Sequence, residues 1–184
     1  MSAILNLQFQ RVAPPTVRDI IEDWPVHSKK CAYELITKYD MPHEATPRLL
    51  IWYYNGPWKR TILHRDGASH NIPHHHVDIL EQTVNEHIRP EVCSELSQFD
   101  GSIIVNRTRG ELTAYCENEQ ANIFLLNLAH EIILGKRTSK QAKSELLRAS
   151  DFFHSHLPNK YRDDLLFFTT ETITDPDQVV ADPN

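Results

Sequence analysis

Residues 48–65 read RLLIWYYNGPWKRTILHR, and they decide the fold class. Arg48–Tyr54 is rich in aromatic and branched side chains, Asn55-Gly56 is a strong turn signal, and Trp58–Arg65 resumes alternation. Together they predict a β-hairpin. On its second strand Trp58, Arg60, Ile62 and His64 share one face, and Lys59, Thr61, Leu63 and Arg65 share the other. Asp66-Gly67 is expected to end it. A second hairpin follows from Ser102–Asn106 (SIIVN), a turn at Thr108-Arg109-Gly110, and Glu111–Cys116 (ELTAYC). Between the two, Asp78–Ile88 (DILEQTVNEHI) admits two readings. Ile79, Leu80, Thr83, Val84 and Ile88 fit a helical face, while the branched residues and the following Pro90 suit a strand.

Outside the hairpins the pattern turns helical. After Pro14-Pro15, Thr16 with Asp19 three residues on approximates a capping box, so a helix is expected to start at Thr16 and to stop at Pro25. A second helix begins near His27 or Ser28 and lines up Cys31, Ala32, Leu35, Ile36 and Tyr39. Ala121–Leu134 (ANIFLLNLAHEIIL) is apolar nearly all round, the mark of a central buried helix. Its polar exceptions, Asn127, His130 and Glu131, form one narrow stripe, expected to meet water near the left-handed cap at Gly135. Thr138 with Gln141 makes a capping box for a further helix, with Ala142, Leu146, Ala149, Phe153 and Leu157 on one face and Pro158 as its stop. The short link pairs these last two as a helical hairpin. The expected class is α+β: N-terminal helices, an antiparallel sheet built from two hairpins, and a C-terminal helical hairpin. One domain spans residues 1–168, and residues 169–184 form an acidic, mobile tail.

Composition narrows the function classes. At 184 residues, 40% hydrophobic and 24% charged, the chain has the size and balance of a single globular domain. No apolar run approaches the roughly 18 residues of a membrane span, and no signal peptide is visible. Three cysteines (Cys31, Cys93, Cys116) without a CxxC pair read as free thiols in a reducing cytosol, so a cytoplasmic location is expected. The net charge is −6, and Glu171, Asp175, Asp177 and Asp182 in the tail account for most of it. The nearest basic group, Lys136, Arg137, Lys140, Lys143 and Arg148, reads as a solvated helix face, so neither nucleic acid nor membrane is an expected partner. GxSxG, P-loop and GxGxxG patterns are absent, and Leu134 stands where an HExxH helix would need its second His.

The chemically loaded segment is SHNIPHHHVDILEQ, residues 69–82. Of 11 histidines, six fall between positions 64 and 87. An extended backbone over residues 74–78 would point His74, His76 and Asp78 to one side and His75 to the other. Two imidazoles and a carboxylate match a facial iron(II) site or a three-ligand zinc site. The predicted metal ligands are therefore His70, His74, His76 and Asp78, with Glu81, His64 and His130 as completing groups and zinc or iron as the cofactor.

Gly67, His74-x-His76 and Glu81 are similar to the first metal motif of the cupins, which implies Glu81 as a ligand. One extra residue follows Gly67, the later Gly is missing, and no second motif is present. His76-x-Asp78 with His130 is similar to the ligand set of 2-oxoglutarate-dependent oxygenases, although His130 falls on an expected helix. Both families are jelly rolls, which the helical C-terminal half does not suit. Over a longer span, GPWKRT (56–61), HNIPHHHVDILEQT (70–83), FDGSIIVNRTRGEL (99–112) and NIFLLNLAHEIILGKRT (122–138) resemble a family of uncharacterised bacterial proteins. That resemblance implies a stand-alone bacterial domain and assigns no chemistry. The rival to a metal protein is a non-catalytic interaction or regulatory module that self-associates as a homodimer, burying Trp52, Tyr54 or Phe152-Phe153 in its interface.

Overall fold

A computed structural model of the chain describes residues 10–152 and 160–169. The end of the last long expected helix at Phe153–Pro158 and tail residues 170–184 lie outside the described residues.

Six strands form one antiparallel sheet in the order β1-β2-β3-β4-β6-β5. They are β1 (Glu44–Ala45), β2 (Leu49–Asn55), β3 (Trp58–His70), β4 (His76–Asn85), β5 (Ile103–Asn106) and β6 (Glu111–Cys116). Both expected hairpins are present as β2–β3 and β5–β6. The ambiguous stretch is β4, a central strand bonded to β3 on one side and β6 on the other. Its helical periodicity loses because ladders on both flanks satisfy its backbone and bury its branched side chains.

The helices are α1 (Pro14–Ile21), α2 (Val26–Tyr39), α3 (Cys93–Phe99), α4 (Glu119–Ile133), α5 (Ser139–Phe152) and the single turn α6 (Lys160–Asp163). Leu50, Trp52, Leu63 and Leu80 pack with Val17, Ile21, Ala32 and Leu35 of α1 and α2. Val84, Leu112, Ala114 and Cys116 pack with Phe124, Leu125 and Leu128 of α4. The opposite face of the sheet carries polar pairs such as His64 with Glu81, 2.7 Å apart, and Arg60 with Glu111.

Several local expectations are corrected. Asn55 pairs with Trp58, so the tight turn is Gly56-Pro57, one residue later than expected. Asn55 stays in the strand because its buried amide donates to Thr61 Oγ1 at 3.1 Å. Helix α1 starts at Pro14 with Ala13 before it and no side-chain cap, leaving Thr16 inside the helix. Proline suits the first turn because its missing N–H has no use there. The Thr138–Gln141 capping box does form, through Thr138 N–H to Gln141 Oε1 (2.9 Å) and Gln141 N–H to Thr138 Oγ1 (3.3 Å). The simple C-terminal helical hairpin is not established, since α5 also packs on α3, where Glu95 accepts from the Ser139 N–H at 3.0 Å. Trp52 is fully buried and donates to the Asp40 carbonyl at 2.8 Å, so it is withdrawn from any interface, whereas Tyr54 is exposed.

Strand β3 does not end at Asp66-Gly67. Its pairing with β4 shifts register between Leu63 and Ala68, then resumes to His70. Gly67 makes this passage, because a Cβ there would lie 2.4 Å from the Asp78 carbonyl oxygen.

Candidate metal centre

Beyond the bulge, β3 and β4 form a two-stranded arm in which His70 faces His76 and Ala68 faces Asp78. Directly opposed residues share a face, and so do residues two apart. The arm therefore delivers His70, His76 and Asp78 to one side. The connection, with a cis Ile72–Pro73 peptide, brings the strand back. One ligand atom from each of the three residues lies within 4.8 Å of the others, so the cluster can hold a metal ion.

The two imidazoles approach the carboxylate from different sides. His76 Nε2 is 2.9 Å from Asp78 Oδ1, and His70 Nδ1 is 3.3 Å from Asp78 Oδ2. Asp78 is only 3% exposed, yet its Oδ1 has no hydrogen-bond partner. The short approach of His76 therefore lacks the direction of a hydrogen bond.

Each ligand is also held from outside. His76 Nδ1 donates to the His74 carbonyl at 2.8 Å, which leaves Nε2 as the inward nitrogen. Ser102 Oγ lies 3.0 Å from Asp78 Oδ2 and 3.2 Å from His70 Nδ1. His70 Nε2 faces Asp100 Oδ1 at 3.8 Å, and that oxygen accepts the Ser102 N–H at 2.8 Å. Asp100 is buried, and its Oδ2 is a second carboxylate oxygen without a partner. Burial pushes its carboxyl upward, opposed by the Ser102 N–H and His70 and reinforced by Asp78. His76 is raised above 6.5, first by the Asp78 carboxylate, against burial, with further help from the His74 carbonyl.

Not every expected ligand converges. His74 precedes the strand, so the alternation that would aim it inward does not reach it. Its ring packs beside His76, 5.4 Å between centroids, and its carbonyl serves as the support just described. His75 bonds Asn71 at 2.9 Å. Glu81 and His64 pair with each other on the opposite face. His130 pairs with Glu86 Oε2 at 3.1 Å, beyond the far end of β4. The cupin-like and oxygenase-like sets are thus not assembled, and a single open sheet replaces the jelly roll both imply.

The polar stripe of α4 is corrected too. Residues 161–167 cover much of it, burying Asn127 and leaving the His130 and Glu131 side chains each 20% exposed. Asn127 Nδ2 donates to the carbonyls of Tyr161 (3.0 Å) and Asp164 (2.9 Å), and its Oδ1 accepts from the Leu166 N–H (2.8 Å). Glu131 binds Arg137 Nε and the Tyr161 hydroxyl, and His130 stacks on Phe167 with centroids 4.1 Å apart.

Asp100, Ser102 and Cys116 escape the sequence reading. Asp100-Gly101-Ser102 carries an Asx-turn signal, but its position beside β3 and β4 depends on sheet order. Among the described residues no helix is long and apolar enough to cross a membrane. The chain matches no protein-family model, no curated protein and no solved structure.

Proposed function

We propose that this protein binds one divalent transition-metal ion, zinc or iron, through His70, His76 and Asp78. The observation that carries the reading is the buried Asp78 Oδ1, left without a hydrogen bond while facing a ring nitrogen at 2.9 Å. A buried carboxylate oxygen with no partner is costly. Since His76 gives its Nδ1 proton to the His74 carbonyl, a neutral ring leaves Nε2 as an acceptor 2.9 Å from that oxygen. Two facing acceptors are relieved by a cation between them.

Two imidazoles and one carboxylate suit both zinc and iron(II). When bound, the metal supplies Lewis acidity and can lower the pKa of a coordinated water. The protein's own part is to orient the ligands through His74, Ser102 and Asp100. The 21% exposure of the His70 side chain provides an entry edge.

Isothermal titration of chelator-stripped protein with zinc, and anaerobically with iron(II), tests the reading. One ion per chain is expected for the wild type and none for Asp78→Ala. Heat from ions that bind equally well to Asp78→Ala overturns the assignment.

A further inference from the structure

Resting on that three-ligand reading, we infer that Cys116 is the fourth ligand and closes the shell into a tetrahedral site of two imidazoles, one carboxylate and one thiolate. Cys116 ends β6, is buried, and places Sγ 3.5 Å from His76 Nε2. In a tetrahedral shell with metal–nitrogen bonds of about 2.0–2.1 Å and a metal–sulfur bond of about 2.3 Å, the two ligand atoms stand about 3.5 Å apart. The inward nitrogen of His76 therefore has the Asp78 oxygen 2.9 Å away and the Cys116 sulfur at ligand spacing.

Cys116 is reached through His76 and is not a member of the compact trio. Closing the shell thus calls for an inward movement of its side chain. When the metal binds, the thiol S–H bond breaks, its proton leaves to solvent, and the sulfur lone pair forms the metal–sulfur bond. No oxidant or reductant takes part.

The surroundings suit a closed shell. The cavity beside the ligands measures about 20 Å³, room for one water-sized guest, and Ile72, Phe124, Leu125 and Leu146 make its walls largely apolar. The four donors come from β3, β4 and β6, three neighbouring strands of the sheet. The ion would clip them together at the end where the β3–β4 ladder is interrupted. A thiolate in a four-coordinate shell also favours zinc over iron.

Cobalt(II) titrated into chelator-stripped protein reads the donor set directly. The titration is run on the wild type, on Cys31→Ala/Cys93→Ser, in which Cys116 is the remaining thiol, and on Cys116→Ser. The first two are expected to bind one cobalt per chain with tetrahedral visible bands and a near-ultraviolet thiolate-to-cobalt band. In Cys116→Ser that band is lost and affinity drops at least about 10-fold. Stoichiometric cobalt without the thiolate band overturns Cys116 as a ligand and leaves the three-residue site standing. No cobalt binding to the wild type overturns both.

Discussion

Two polar clusters press against the apolar core, one on α4 and one at the bulged end of the sheet, and they solve the same problem differently. On α4, Asn127, His130 and Glu131 find partners within the protein: three backbone groups, Glu86 with Phe167, and Arg137 with Tyr161. At the sheet end, His76 and Asp78 are buried beside a half-buried His70, and Asp78 and Asp100 each keep an oxygen without a hydrogen bond. The first cluster is complete as a piece of structure. The second sets two buried carboxylates against two imidazoles, and that difference separates a latch from a binding site.

The largest effect expected to separate the clusters comes from chelation. A ligand at a thousandfold excess over its Kd stabilises the folded state by about 4 kcal/mol. For a chain of this size that corresponds to roughly 8–16 °C in Tm. Scanning calorimetry with and without chelator should show a drop of that order in the wild type and none in Asp78→Ala. Next, Asn127→Ala should cost about 2 kcal/mol, because three backbone groups in residues 161–166 lose the buried amide that ties them to α4. Chemical denaturation measures that loss, and zinc affinity of the folded variant should be unchanged. If Asn127→Ala weakens zinc binding as well, the two regions are one cooperative site and the contrast fails.

Gly67→Ala should cost about 2 kcal/mol, since its methyl group would collide with the Asp78 backbone and push a ligand strand aside. Unlike Asn127→Ala, it should also weaken zinc binding, a pairing that titration of both variants would display. Smaller still is the effect of Asp78→Asn on the metal-free protein, which should lose about 1 kcal/mol below pH 6.5, where the Asp78 carboxylate supports the protonated His76 ring. Zinc should no longer raise its Tm.

The difference between the clusters also has a sign in pH. Burial alone would raise the Glu131 carboxyl, but its bonds to Arg137 and Tyr161 prevail and hold it below 4.5. Its stabilisation is therefore present above 4.5 and lost as pH falls through the lower folded value. His76 is raised above 6.5, so in metal-free protein its contribution is present below 6.5 and lost as pH rises through the folded value. Metal competes with the proton on that ring, so stabilisation by zinc should grow with pH over the same interval. Tm profiles with and without zinc, beside those of Glu131→Gln, resolve the two trends.

Much of this fold is legible in the sequence because its signals are local. Two turn-punctuated runs of branched residues mark the hairpins, and an apolar run marks α4. The register of β3 is not legible, because Gly67 is required by the approach of a carbonyl from the next strand and not by a turn. The histidine cluster is legible as composition, and His76-x-Asp78 as a shared face. His74 misleads because alternation holds only within a strand, and β4 begins at His76. Cys116 and Ser102 are silent for another reason: they reach the site through the pairing of β6 with β4 and of β5 with β6, contacts that span tens of residues. The stripe on α4 looks solvated in sequence because the covering segment lies more than 30 residues away.

Elemental analysis of protein purified without a tag or a metal-affinity step tests the central claim most directly. The account predicts close to one zinc or iron per chain in the wild type and a residual trace in His76→Ala and Asp78→Ala purified alongside. A wild-type chain with no more metal than those variants, and with a Tm indifferent to chelator, would contradict it.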